Sequence, residues 1–137
     1  MQDFTRPTIA FISAQLSTLG DRENLDRHNR LIDRLVELKI RYQECEGCYQ
    51  GVTEKSVSIP ASDSAIALSL AREFGQESVL IRRGDGVCEL VTPNGNVIGV
   101  GTWRTRGTEK PEGDYTQSSG QYYSVEWVEA EEARRIA

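Results

Sequence analysis

The chain has 137 residues, of which 27% are charged and 38% hydrophobic, and its formal net charge is −5. This size and composition predict one folded domain, residues 1–137, and exclude a disordered chain. The acidic balance excludes a general duplex-DNA-binding protein, which uses a basic surplus to neutralise phosphates. The amino terminus has no secretory pattern, and no segment has the ~20 apolar residues of a membrane span. We therefore predict a cytoplasmic protein that does not bind membranes.

The first half of the chain predicts three strands around one helix. Residues 8–15 carry apolar side chains on both faces, which is typical of a central strand. Residues 23–40 place leucine, isoleucine and valine at helical spacing. Residues 41–51 contain two glycines and predict a strand or an extended turn. Residues 53–59 alternate valine and isoleucine with serine, so they predict a second strand that ends at a proline.

The middle of the chain predicts a helix followed by a β-meander. Residues 64–74 have an apolar stripe at helical spacing, and Gly75 is a typical helix stop. The strands predicted after it cover residues 77–82, 87–92 and 96–104. Gly-Asp-Gly and Pro-Asn-Gly separate these strands, and such residues favour tight hairpin turns. The three strands are therefore expected to be antiparallel neighbours.

The last third predicts a mobile loop, a strand and a short tail. Residues 105–121 contain one aromatic and no aliphatic side chain, which is typical of a loop. Residues 122–128 predict a final strand, and residues 129–137 predict a short helix or a frayed end. The resulting order, βαββαββββ, predicts an α+β domain with a mostly antiparallel sheet and two helices on one face. The first six elements also fit a ferredoxin-like arrangement.

Polar and aromatic side chains near strand ends and glycine-containing loops form the candidate ligand-binding site. Such groups can hydrogen bond a base or sugar edge, stack on a base, or pair with a phosphate. The candidate residues are Ser13, Gln15, Tyr49, Glu54, Ser56, Gln76, Arg82, Trp103 and Arg104. The alternative interpretation is that these side chains satisfy the backbone groups of turns.

The cysteines offer an alternative metal site. Cys45 and Cys48 form a Cys-x-x-Cys pair, and Cys88 and His28 could complete a set of four zinc ligands. No second Cys-x-x-Cys is present, and the pair does not open a helix as redox pairs do. We therefore predict reduced thiols, no metal and no cofactor. His28 lies among charged residues of the predicted helix, so it is expected to be exposed.

The pattern G-x-Y-x-G-x-x-E-x-S over residues 47–56 is followed by F-G-Q-x-S-V-L over residues 74–80. Together with the helix between residues 23 and 40, these patterns resemble a family of small bacterial and phage proteins that is classed as a domain of unknown function. The similarity covers about residues 8–91. The resemblance implies a small domain of phage origin, located in the host cytoplasm, and it implies no settled activity.

Three functional hypotheses follow. The first is a non-enzymatic binding module that holds a host protein or a small nucleotide-like ligand and interferes with a host process such as antiviral defence. The alternative is a small, hydrolase-like acid–base enzyme that uses Glu54 as general base. The third is a protein mimic that docks through the loop at 105–121 and the acidic tail. A homodimer is compatible with each of them.

Overall fold

The computed structural model describes residues 7–49, 51–61 and 64–128. The predicted tail at 129–137 therefore lies outside the described residues. The described part of the chain forms helices α1 (Asp21–Glu37) and α2 (Ala65–Glu73). Neither of these helices is long and apolar enough to cross a membrane. The strands are β1 (Ile9–Ile12), β2 (Gln43–Tyr49), β3 (Val52–Pro60), β4 (Val79–Arg82), β5 (Val87–Val91), β6 (Val97–Gly107), β7 (Tyr115–Ser118) and β8 (Gln121–Trp127).

The strands form a closed barrel in the order β1-β3-β2-β7-β8-β6-β5-β4. All neighbouring strands are antiparallel. The predicted α+β class, a sheet with two helices on one face, is wrong. The predicted order lacks β7, and β7 is the strand that joins β2 to β8 and so closes the barrel. Side chains alternate between two faces in an open sheet and in a barrel alike, so hydrophobic alternation cannot predict closure.

Strand β7 lies inside the segment 105–121, for which the sequence predicts a mobile loop. Tyr115 at the start of β7 is buried, and its hydroxyl donates a hydrogen bond of 3.1 Å to Glu46 Oε1 on β2. Ser119 and Gly120 both have positive φ angles, 51° and 76°, and they turn the chain from β7 into β8. One aromatic residue among polar neighbours is a weak strand signal, which explains why the sequence does not predict β7.

The hydrophobic core lies outside the barrel, between one part of its wall and the two helices. The core residues of β1 are Ala10 and Ile12, and α1 contributes Leu31 and Leu35 four residues apart, on one side of the helix. The other main members are Val57, Ile59, Ala67, Leu70, Ala71, Val79 and Ile81. Burying one such aliphatic side chain contributes about 1.5–3 kcal/mol to folding. The helices therefore fix the position of the wall that carries β1, β3 and β4.

The inner side of the barrel carries a different set of residues. Ile9 and Phe11 alternate with the core residues of β1, so they point into the barrel. Ser58 on β3 and Leu80 on β4 lie directly opposite Phe11 in the two ladders and share its face. This inner side therefore mixes aromatic, aliphatic and hydroxyl side chains. It is less apolar than the outer wall.

Two glycines of β6 allow β8 to pass closely. A Cβ atom at Gly101 would lie 2.5 Å from Val125 Cγ1 and 2.6 Å from the backbone oxygen of Glu126, whereas one at Gly99 would lie 3.3 Å from the Trp127 ring. We expect Gly101→Ala to lower the free energy of unfolding by about 1–3 kcal/mol, as overpacking does, and Gly99→Ala to lower it less. Urea denaturation measures both values. Equal unfolding midpoints for the two variants would contradict this close approach.

Candidate functional site

The segment between β1 and α1 has no strand partner, and side chains form hydrogen bonds with its backbone groups instead. The Gln15 amide N–H donates to Ser13 Oγ at 3.1 Å. The Leu16 amide N–H donates to Asn24 Oδ1 at 2.8 Å, and Asn24 Nδ2 returns a bond of 3.0 Å to the Leu16 oxygen. Asn24 is the fourth residue of α1, so the start of the helix holds this segment at Leu16. The segment therefore has a defined conformation although it is neither helix nor strand.

Four predicted site residues come together at this point. The Lys55 amide N–H donates to Gln15 Oε1 at 3.0 Å, and Gln76 Nε2 donates to the Gln15 backbone oxygen at 3.1 Å. The Ser13 hydroxyl lies 3.1 Å from the Lys55 backbone oxygen, next to Glu54. We call Ser13, Gln15, Glu54 and Gln76 the strand-end cluster. It joins the end of β1, the middle of β3 and the connection between α2 and β4.

Glu54 is the carboxylate of the strand-end cluster. It lies opposite Gly47 in the β2–β3 ladder, so no side chain covers it from that neighbour. Partial burial raises the pKa of Glu54, and the nearby Ser13 hydroxyl opposes this shift by hydrogen bonding. The hydroxyl can give its hydrogen either to this carboxylate or to the Lys55 oxygen. A raised carboxyl pKa in a cluster of polar groups is a common property of functional sites.

Arg27 of α1 supports the cluster, and the sequence analysis does not identify it. Its Nε donates to the Ala14 oxygen at 2.6 Å, and its Nη2 bonds the Phe74 oxygen. The guanidinium also lies 5.9 Å from the centre of the Phe74 ring. Arg27 therefore fastens the end of β1 to the end of α2. The available signal was its position four residues before Leu31, on the side of the helix that the core covers.

The other predicted residues lie elsewhere. Tyr49 is 59% exposed at the tip of the β2–β3 hairpin. Ser56 follows Glu54 on the same side of β3, is buried, and has its Oγ 3.2 Å from Cys45 Sγ. Arg104 is exposed and forms an ion pair of 2.5 Å with Glu126, away from the cluster.

Arg82 and Trp103 line a cavity of about 230 Å³ inside the barrel. Trp103 stacks between Phe11 and Tyr123, with ring centres 5.2 Å and 5.0 Å away. The Arg82 guanidinium lies 5.6 Å from the centre of the Trp103 ring. The eight lining residues, which define what we call the barrel cavity, are Ile9, Phe11, Gln43, Ser58, Arg82, Trp103, Ser118 and Tyr123.

The cysteines do not come together. In the described part of the chain, no group of three or more histidine, cysteine, aspartate or glutamate side chains is placed to hold a metal ion. Burial raises the pKa of the Cys45 thiol, and it raises that of Cys88 to about 11, so both thiols are protonated at neutral pH. His28 is buried, not exposed as the sequence predicts, because α1 turns it toward β2. Its Nε2 lies 2.8 Å from Glu44 Oε1.

Comparison with known protein families identifies the family of this chain. A model of the family described as "S-Adenosylmethionine lyase family" matches residues 10–126. No curated protein sequence matches the chain. The matched segment runs from β1 to β8 and includes the strand-end cluster and seven of the eight residues that line the barrel cavity. The resemblance stated from the sequence is confirmed only at the level of a family match, while its residue pattern and the phage origin gain no support.

The match also corrects the functional prediction. A lyase family is a family of enzymes, so the predicted non-enzymatic binding module is wrong, and the predicted role as an antagonist of host defence gains no support. The sequence could not show this, because it contains no motif of a known reaction, and the residues of the strand-end cluster come from three separate segments. The alternative of a small enzyme agrees better with the match. The chain belongs to the S-adenosylmethionine lyase family.

Proposed function

We propose that the chain cleaves a carbon–sulfur bond of S-adenosylmethionine at the strand-end cluster, with Glu54 as the essential carboxylate. The observation that carries this proposal is the family match over residues 10–126. The strand-end cluster supports the location, because it combines the partly buried Glu54 with the amides of Gln15 and Gln76. S-adenosylmethionine is also a nucleotide-like ligand of the kind predicted from the sequence. A host protein partner and the cytoplasmic location stay predictions.

The substrate is a sulfonium cation, and this suits an ionised Glu54. Opposite charges attract strongly in a partly desolvated site, so the carboxylate can hold the sulfonium or the substrate ammonium group. When the carbon–sulfur bond breaks, its electron pair goes to sulfur and a neutral thioether leaves. A lyase does not use water, so the carbon that loses its bond to sulfur must gain a new bond in another way. Either a hydrogen leaves the adjacent carbon as an alkene forms, or an oxygen of the substrate's own carboxylate bonds to the carbon.

The second route, an internal displacement, fits the residues better. A glutamate carboxylate is a weak base toward hydrogen on an unactivated carbon, even when burial raises its pKa. The substrate carboxylate needs no proton transfer, and attack within one molecule is strongly favoured when the two groups are held in line. Amide donors such as those of Gln15 and Gln76 are suited to orienting a carboxylate. The products would be methylthioadenosine and a five-membered lactone, and no cofactor is required.

Product analysis tests the proposal directly. We expect the purified chain to convert S-adenosylmethionine into methylthioadenosine and homoserine lactone, separated by liquid chromatography and identified by mass. In water enriched in ¹⁸O, the lactone should contain no ¹⁸O, since both of its oxygens come from the substrate carboxylate. Any homoserine formed later should carry the label in its carboxylate. A label in the homoserine hydroxyl would show hydrolysis, and no methylthioadenosine above the buffer control would refute the proposed activity.

A further inference from the structure

We propose that the adenosine half of the substrate lies on the face of the β2–β3 hairpin that carries Glu54, over Gly47 and against the ring of Tyr49. This inference rests on the proposed function, because it assigns one half of S-adenosylmethionine to a place at the same site. Gly47 lies directly opposite Glu54, and Tyr49 lies directly opposite Val52, with continuous pairing between the two pairs. Opposite residues of a ladder share a face, and so do alternate residues of a strand. These four positions therefore form one surface.

Gly47 leaves the space beside the Glu54 carboxylate open. A Cβ atom at Gly47 would meet no atom within 4 Å, apart from those of its chain neighbours. Its φ angle is not positive either, so neither the backbone conformation nor a close neighbour requires a glycine at this position. On the other side of Gly47, strand β7 contributes the small side chain of Thr116. The row from Glu54 across Gly47 to Thr116 therefore has room for a group that approaches the carboxylate.

The order of the strands decides which half of the substrate this room receives. Strand β3 lies between β1 and β2. Gln15 and Gln76, which the proposed function assigns to the substrate carboxylate, lie on the β1 side of β3. The sulfonium at Glu54 joins the methionine part of the substrate to its adenosyl part, and the methionine part extends toward those amides. The adenosyl part is therefore directed to the β2 side, over Gly47.

Tyr49 offers the surface that an adenine ring requires. It follows Gly47 by two residues, about 7 Å along the strand, and a ribose bridges a gap of this order between sulfur and base. Tyr49 is 59% exposed and Val52 is 53% exposed, so both present apolar surface at the tip of the hairpin. In the described part of the chain, none of the aromatic pairs includes Tyr49, so no other ring covers its faces. Bases stack well on such a ring.

Calorimetric titration with 5′-methylthioadenosine tests the inference without turnover, because this probe contains the adenosine half alone. We expect saturable binding to the full chain. Tyr49→Ala should weaken it by about 5-fold to 150-fold, the range for the loss of one stacked base, whereas Tyr49→Phe keeps the ring and should keep the affinity. The matched control is Tyr42→Ala, at an exposed tyrosine just before β2, which should also keep the affinity. No saturable binding, or equal losses in Tyr49→Ala and Tyr42→Ala, would overturn the inference.

Substitution of Gly47 tests the open floor, and its effects on stability and on binding should differ in sign. An added methyl group meets no neighbour, so Gly47→Ala should have a Tm equal to or above that of the unsubstituted chain. Its affinity for 5′-methylthioadenosine should nevertheless fall by about tenfold, as overpacking of a site predicts, and Gly47→Val should lower it further. Gly20→Ala also adds a methyl group to open space at a negative φ, and it should leave the affinity unchanged.

The remaining outcomes separate this inference from the proposed function. A lower Tm for Gly47→Ala, or full affinity of Gly47→Val, would overturn the role of Gly47 as an open floor. Cleavage of S-adenosylmethionine with an unchanged KM in Tyr49→Ala would overturn the adenosine position and leave the proposed function intact. Binding of 5′-methylthioadenosine that depends on Tyr49 and Gly47, in a chain that does not cleave S-adenosylmethionine, would support the adenosine position and refute the proposed function.

Discussion

Replacing Glu54 with glutamine is expected to lower kcat for S-adenosylmethionine cleavage by about 100-fold or more. Glutamine keeps the size and hydrogen-bonding capacity of the side chain but removes its charge, and loss of one preorganised electrostatic group typically costs this much. The rate of methylthioadenosine release at saturating substrate measures the effect. The matched control is Glu112→Gln, which changes an exposed glutamate near the start of β7 and should retain full activity. Equal loss in both variants, or full activity of Glu54→Gln, would contradict the role of Glu54.

Glu54→Gln is expected to be less active than the unsubstituted chain but not less stable at neutral pH. The pKa of Glu54 is raised in the folded chain, so the fold favours its protonated form. This group therefore contributes stability below its unfolded pKa, and the contribution is lost as the pH rises through the folded pKa. At neutral pH the variant, which carries no charge to bury, should have a Tm equal to or above that of the unsubstituted chain. Activity of the unsubstituted chain should fall as the pH drops through the raised pKa. A lower Tm for the variant at neutral pH would contradict the raised pKa of Glu54 in the folded chain.

Arg27→Ala is expected to reduce both stability and activity. Arg27 donates to the Ala14 and Phe74 oxygens, and hydrogen bonds from a charged group contribute about 1.5–3 kcal/mol each. Because Arg27 is only partly buried, water can replace part of the lost hydrogen bonding in the variant. We therefore expect the free energy of unfolding to fall by about 2–4 kcal/mol. The end of β1 should also lose its position, which lowers kcat because Gln15 then no longer meets Gln76. Urea denaturation and methylthioadenosine release measure the two effects.

Arg30→Ala is the matched control for Arg27. Arg30 lies on the same helix, three residues later, and is exposed. Its substitution should change the free energy of unfolding by less than about 0.5 kcal/mol, as is usual for surface positions. If the two arginine variants unfold at the same urea concentration, the bonds to Ala14 and Phe74 do not hold the site.

Local patterns in the sequence predict more of the secondary structure than of its assembly. The apolar spacing predicts α1 and α2, and the turn glycines Gly86 and Gly95 do have positive φ, 90° and 89°, between antiparallel strands. The barrel depends instead on the pairing of β7 with β2, for example Cys48 with Tyr115, across a long stretch of chain. No local pattern encodes such a pairing, and the sequence of β7 is mostly polar.

The candidate site was also predictable only in part. Because polar groups at strand ends tend to meet, the sequence predicts a site that includes Ser13, Gln15, Glu54 and Gln76, and the structure brings these four together. Whether they bind and transform a substrate stays a prediction. Arg82 and Trp103 were assigned to the same site, but they line the barrel cavity instead. The difference depends on the position of each side chain along the strands of a barrel whose closure the sequence does not reveal.

Closure of the barrel has a consequence for molecular recognition. In the described part of the chain, each of the eight strands has a hydrogen-bonded neighbour on both sides. Each of these strands is therefore paired on both sides over at least part of its length, so none of them has one side wholly open to β-augmentation. Recognition of this domain by a macromolecule should therefore depend more on side chains and turns than it would at the edge strand of an open sheet.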